Sequence, residues 1–127
     1  VMAFTDYLEN KLLAHTFSNT AFTTPGTVYV AVYTVAPTDS TTGTEVSGNG
    51  YARQSAGFTT TNNLSTNTSA IEYPTATGNW GTIVAVAVLD ASSSGNMLAY
   101  ASLTSNKTIE TGDVLRIPAG DLDITLT

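Results

Sequence analysis

Thr77-Gly78-Asn79-Trp80-Gly81-Thr82-Ile83-Val84-Ala85-Val86-Ala87-Val88-Leu89-Asp90 holds the only tryptophan and the longest apolar run of the chain. From Ile83 to Leu89 no side chain is polar, and Gly81 and Asp90 bound the run. Ile83, Val84, Val86 and Val88 are β-branched, which disfavours a buried helical turn and favours a strand. A continuous apolar run of this length reads as a central strand covered on both faces. It is too short to span a membrane as a helix.

Outward from that strand, the neighbouring segments read as further strands. Thr27 to Val35 alternates, with Val28, Val30 and Val32 on one face and Tyr29, Ala31 and Tyr33 on the other, and Pro37 stops it. Met97 to Leu103 returns through the turn Ala91–Asn96 as the hairpin partner of the central strand. Tyr51 to Phe58, Ala70 to Tyr73, Lys107 to Glu110, Val114 to Ile117 and Leu122 to Leu126 are further short strands, the last with Leu122, Ile124 and Leu126 inward. Thr38 to Gly50 and the Thr/Asn/Ser tract Thr59 to Ser69 read as exposed loops. Short strands with turn chemistry between them predict a mainly β protein, an antiparallel β-sandwich or barrel-like fold. Val30, Val32, Trp80, Val86, Val88, Leu98, Ile117 and Ile124 are the expected core.

One helix is expected, over about residues 4–17, ahead of a β-rich body over about 27–127 in a single domain covering 1–127. Thr5 or Asp6 can cap it, and Asp6 with Glu9 has the spacing of a capping box. Phe4, Leu8, Leu12 and His15 form one stripe, with Tyr7 at its edge, suited to closing the open end of a β core. Leu13 and Phe17 point elsewhere and are the first candidates for contact with another subunit. Together with Asp39, Glu45, Tyr51 and Arg53 they make up the expected partner interface, and the loop Thr38 to Gly50 is expected to order on binding.

Composition narrows the function. The 127 residues carry a net charge of -6, with a pI near 4.2, and only Lys11, Arg53, Lys107 and Arg116 are basic. Nucleic acid and anionic membranes both call for a cationic face, so neither is an expected partner. The chain has no cysteine, so disulfides and thiolate metal sites are excluded. Charged residues are only 11% of the chain and threonine supplies two dozen positions, so the polar surface is largely neutral. Val1 to Asn10 has neither a basic n-region nor an apolar h-region, so no secretory leader is expected, and the Asn-x-Ser/Thr triplets at Asn63, Asn67 and Asn106 carry no weight as glycosylation sites.

No catalytic constellation stands out. His15 is the only histidine, it lies within the helix, and no G-x-S-x-G elbow accompanies it. Asp121 and Asp123 share a strand face and, with Asp113 or Glu110, offer oxygen ligands for calcium, but no loop spacing supports a site and a solvated acidic edge is the expected reading. Glu45 and Glu72 have the chemistry of a glycosidase pair without an aromatic cleft to hold a sugar. Gly48 to Gln54 lacks the third glycine and the helix of a dinucleotide loop. Arg53 is expected to pair with Glu45 or Glu72, or else to reach an acid on a partner. No cofactor and no metal are expected.

Phe4-Thr5-Asp6-Tyr7-Leu8-Glu9-Asn10-Lys11-Leu12-Leu13, Gly43-Thr44-Glu45-Val46-Ser47-Gly48-Asn49-Gly50-Tyr51-Ala52-Arg53-Gln54, Glu72-Tyr73-Pro74, Trp80-Gly81-Thr82 and Gly112-Asp113-Val114-Leu115-Arg116-Ile117-Pro118 resemble, in order, a family of small tailed-phage virion proteins often labelled tail fibre-like. After Trp80-Gly81-Thr82 the chain departs from the family pattern, with apolar residues in place of polar or aromatic ones. The resemblance implies a non-enzymatic structural protein of the virion, assembled in the bacterial host cytoplasm. Its expected partners are the major capsid protein or tail proteins of the same particle, and a homo-oligomer, dimer or trimer, is expected. The preferred role is a capsid cement or decoration protein that binds across capsomer joints. The alternatives are a tail, baseplate or fibre-attachment component and, more remotely, a carbohydrate-binding module.

Overall fold

A computed structural model describes residues 2–126. The elements in chain order are β1 (Ala3–Phe4), α1 (Asp6–Phe17), β2 (Val28–Val35), β3 (Thr44–Glu45), β4 (Gln54–Ala56), β5 (Phe58–Thr61), β6 (Leu64–Asn67), β7 (Ile71–Glu72), β8 (Gly81–Leu89), β9 (Met97–Ile109), β10 (Arg116–Ile117) and β11 (Asp123–Thr125). The main sheet runs β1-β9-β8-β2-β3, and β4 shares the outer edge of β2 with β3. A three-stranded sheet, β11-β6-β5, and a two-stranded one, β10-β7, contribute to the second layer. All these strand pairs are antiparallel, and the fold is mainly β and sandwich-like with one N-terminal helix.

The central strand is β8. Its partners are β2, in the register Val30↔Val88 and Val32↔Val86, and β9, in the register Val88↔Ala99. Ile83 and Ala85 to Leu89 are all buried. Between Ile83 and Ala85 the ladder with β9 is irregular: Ile83 opposes Lys107 while Ala85 opposes Ser102, so one residue of β8 faces four of β9. This bulge resets the alternation. Ile83, Val86 and Val88 join the larger core with Val30, Val32, Trp80 and Leu98, whereas Ala85, Ala87 and Leu89, with Val84 packed against them, meet Ala31, Tyr33 and Met97 on the opposite face.

Trp80, Tyr51 and Tyr73 form the aromatic centre of the larger core. Tyr51 and Tyr73 stack with centroids 6.1 Å apart, and Trp80 stands edge-on to both, at 5.4 and 6.4 Å. The polar ends are satisfied: Trp80 Nε1 donates to Asn49 O at 2.9 Å and Tyr73 Oη to Val30 O at 2.8 Å. Ile117 and Ile124, expected in the core, are only partly buried and pack against it from short strands at the rim.

Several boundaries differ from expectation. The helix begins at Asp6, because Thr5 is its cap and Phe4 is already paired with Ala99 in β1. The Thr5 hydroxyl accepts from Leu8 N, so the capping residue precedes the Asp6–Glu9 pair that had the box spacing. Tyr51 to Arg53 is irregular and the expected strand Tyr51–Phe58 breaks at Gly57 into β4 and β5. The segment Thr38–Gly50 contains β3 and the buried Val46, whose N–H donates to Val32 O at 3.1 Å, so it is tied down rather than free. Met97–Leu103 and Lys107–Glu110 are not separate strands: β9 runs continuously through both to Ile109 and absorbs the extra residues in its bulge.

The largest departure is the tract Thr59–Ser69. It is not a loop but the hairpin β5–β6, turning at Asn62 with φ +56°. Thr59, Thr60, Thr61 and Thr66 are β-branched, and their propensity for strand outweighs their polarity. The hairpin is anchored by Asn67, a buried polar residue. Its Nδ2 donates to Ser69 O and Pro118 O at 2.9 and 3.0 Å, and its Oδ1 accepts from Leu122 N at 2.9 Å. Asn67 thus ties β6 to the turn before β11. Leu122 is buried as expected, but Ile124 is only half-buried, and Leu126, expected inward, is exposed because β11 ends at Thr125.

Two substitutions test this core. Trp80→Ala removes a buried ring and its hydrogen bond and is expected to lower the unfolding free energy by about 3–5 kcal/mol in urea titration. Asn67→Ala orphans the Leu122 N–H and is expected to cost about 1–3 kcal/mol. An unchanged urea midpoint for either variant would contradict the packing described.

Candidate interaction surface

Six residues were expected to contact a partner, and the fold sorts them into two places. Glu45, Tyr51 and Arg53 come together on one side of the main sheet. Glu45 is fixed by β3, whose register places it opposite Tyr33. Arg53 directly precedes β4. Its Nε and Nη2 bind Glu45 Oε2 and Oε1 at 2.9 and 2.8 Å, and its Nη1 donates to Ala91 O and Ser94 O at 2.9 and 2.8 Å. Tyr51 Oη donates to Glu45 Oε2 at 2.6 Å and accepts from Val32 N at 3.2 Å. The guanidinium therefore clamps β3, the segment before β4 and the turn between β8 and β9 at once. Among the described residues this is the one ion pair, and it is the structural pairing of Arg53 with Glu45.

The electrostatics follow from this closure. Burial alone raises the Glu45 carboxyl, but the hydrogen bonds from Arg53 and Tyr51 outweigh it and hold it below the ordinary carboxylate value. Burial, then Glu45, pushes Tyr33 up to about 12, and the same causes keep the Tyr51 and Tyr73 hydroxyls well above the usual phenol range.

Leu13, Phe17 and Asp39 lie around α1. Thr5 fixes the start of the helix: its hydroxyl also donates to Met97 O at 2.6 Å, which ties the cap to the first residue of β9. At the other end His15 Nδ1 accepts from Phe22 N at 3.1 Å, and Tyr7 meets Phe22 edge-on at 6.4 Å, so the segment after the helix folds back along it. Asp39 O accepts from Asp6 N at 3.0 Å, and the Asp39 carboxylate accepts the Tyr100 hydroxyl, a bond that pushes Tyr100 up to about 12.

No residue of α1 is buried. Phe4, Tyr7 and Leu8 pack partly against the core. Leu13 and Phe17 are 59% and 79% exposed, and Leu126 beside them is 57% exposed. With Phe4, Leu12, Thr16 and Glu9 these side chains line an open, mainly apolar groove of about 460 Å³. Scattered exposed leucines are normal in proteins, but here the large apolar side chains are adjacent and line one groove.

Two of the residues that shape this surface were not legible as such. Leu126 reads as the inward end of a strand until its strand stops short, and the Tyr100–Asp39 bond spans a sequence separation that no local pattern reports. Thr5, by contrast, carries the ordinary signature of an N-cap. Among the described residues no three His, Asp or Glu side chains gather as metal ligands. Asp123 receives the Thr66 hydroxyl at 2.6 Å, and His15 of α1 accepts from the Phe22 N–H that follows the helix.

The Glu45–Arg53 joint predicts an acid response. A carboxyl whose folded pKa lies below its unfolded one stabilises the fold above the unfolded value, and that stability is lost as pH falls through the folded value. The melting temperature is therefore expected to fall as pH drops below about 4.5, the ordinary carboxylate value. Glu45→Gln is expected to be less stable at pH 7 and to lose less on acidification. Parallel pH profiles for the two proteins would contradict the role of the joint.

Residues 3–125 match the family described as podophage GP4 fiber I protein gp80. No curated relative matches the chain. No helix among the described residues is long and apolar enough to cross a membrane. The match spans nearly the whole chain. The chain belongs to this phage fibre family and is a phage structural protein.

Proposed function

We propose that the protein is a small, non-catalytic component of the phage tail fibre assembly, seated on a neighbouring protein of the same particle through the exposed face of α1. The observation that carries this reading is the apolar groove formed by Leu13, Phe17, Leu12 and Leu126. A compact protein that already has a buried core has no internal need for that surface, and large apolar anchors are what partner proteins cover. The acidic side chains Asp6, Glu9 and Asp39 at the near end of the helix supply a polar rim.

The family description is of a fibre, which favours the tail over the capsid cement role preferred from the sequence. A cement protein gains its effect from hundreds of copies, each a selective ligand of the mature shell. The carbohydrate-binding alternative needs aromatic rings displayed along a groove, whereas Tyr51, Tyr73 and Trp80 are packed against one another.

Copy number per purified particle, by quantitative mass spectrometry against the major shell protein, is expected to be a few to a few dozen. Hundreds of copies would favour the capsid instead. Phe17→Asp and Leu13→Asp are expected to leave the melting temperature unchanged, because both side chains are exposed. They should reduce incorporation into particles by roughly thirtyfold, the effect of losing a hot spot of about 2 kcal/mol. Normal incorporation of both variants would exclude α1 as the docking face.

A further inference from the structure

Most strand edges among the described residues are short, guarded or already bonded. β3, β7 and β10 are two residues long, and β3 carries Glu45 in its ion pair. β11 is bridged at Ile124 by Met2. β9 continues beyond its pairing with β1, but its bulge over 103–106 and Lys107 disrupt that edge. β5 is different. It has four residues, Phe58-Thr59-Thr60-Thr61, with no charge, no proline and no bulge, and it pairs only with β6.

The direction of its backbone groups follows from the ladder. Thr68 N donates to Gly57 O at 3.0 Å, so Gly57 and Thr68 form a hydrogen-bonded pair. Antiparallel alternation then makes Thr59–Thr66 and Thr61–Leu64 bonded pairs, and Phe58–Asn67 and Thr60–Ser65 non-bonded ones. In agreement, the backbone groups of Asn67 turn away from β5, its N–H to Leu122 O and its carbonyl to Gly120 N. The N–H and C=O of Phe58 and Thr60 therefore point off the open side. No hydrogen bond reaches them among the described residues. At the Phe58 end of β5, residues 25–28 and 55–58 line an open cleft of about 490 Å³.

We propose that β5 pairs with β5 of a second copy of this chain, antiparallel about a two-fold axis beside Thr59 or Thr60. The outward groups repeat two residues apart, a spacing that is self-complementary under such an axis. The charge distribution favours a second copy as well. From Gly57 to Ser69 there is no charged side chain, although the chain as a whole carries -6, so this is a surface on which two like-charged molecules meet without juxtaposing carboxylates. Isologous pairing also closes both open edges in one step and leaves none to propagate. This interface does not depend on the role proposed for α1.

The absence of cysteine makes the test direct. Residues beside the two-fold axis of an antiparallel pair have Cα atoms about 4.5–5.5 Å apart, within disulfide range. Thr59→Cys or Thr60→Cys is expected to oxidise to a dimer of twice the 13.2 kDa chain mass on a non-reducing gel. Thr82→Cys, exposed on β8, is expected to stay monomeric. By sedimentation equilibrium the unmodified protein is expected to show a concentration-dependent dimer that Thr60→Pro abolishes. That substitution removes an outward N–H and no bond to β6. Thr59→Lys provides a second disruption should the proline variant fail to fold. The proposal is overturned if neither cysteine variant links faster than Thr82→Cys, or if the dimer persists in folded Thr60→Pro or Thr59→Lys.

Discussion

The fold depends on burying β8 on both faces. A strand of Ile, Val, Ala and Leu has no solvated side to present, so each face must find a cover while β2 and β9 satisfy its backbone. The two faces are unequal. One carries Ile83, Val86 and Val88 and requires a thick cover, which Trp80, Tyr73 and the strands of the second layer provide. The other carries Ala85 and Ala87 opposite Ala31. The bulge opposite Val84 permits this division, because it turns two successive residues toward the thin side.

The polar joints keep the cover in place. Arg53 holds three separate segments through Glu45, Ala91 and Ser94, Asn67 holds the β5–β6 hairpin to the turn before β11, and Thr5 holds the helix start to β9. Each is a partly or fully buried polar group with its hydrogen-bonding needs met, and no buried side-chain nitrogen or oxygen among the described residues is left without a partner. Such joints specify where irregular segments lie, which short strands of two or three residues cannot do for themselves. With the core closed in this way, the apolar face of α1 and the open edge of β5 remain unused among the described residues.

Legibility followed the range of the interactions. The central strand, its two main partners, the single helix and the buried positions Val30, Val32, Trp80, Val86, Val88 and Leu98 were all readable, because each is signalled by composition or alternation within about ten residues. In the Thr/Asn/Ser tract polarity and β-propensity give opposite answers, and pairing with β11, far along the chain, decides between them. At Leu126 the alternation continues the inward pattern, but the strand ends one residue earlier. Glu45, Tyr51 and Arg53 could be singled out as unusual, and Arg53 as a partner for Glu45, but the clamp on Ala91 and Ser94 has no local sign.

The sequence by itself determined a β-rich protein with one short helix, a doubly buried central strand, no thiol chemistry and an acidic, largely neutral-polar surface. These follow from side-chain volume, branching and charge, which act locally and need no partner segment. Only the tertiary structure decided which apolar residues stay outside and which strand edge stays open. Leu13, Phe17 and Leu126 are no less apolar than the leucines of the core, and Thr59 and Thr60 are no different in kind from threonines elsewhere. Their role depends on whether another part of the chain reaches them, and that is a property of the packed arrangement rather than of any residue.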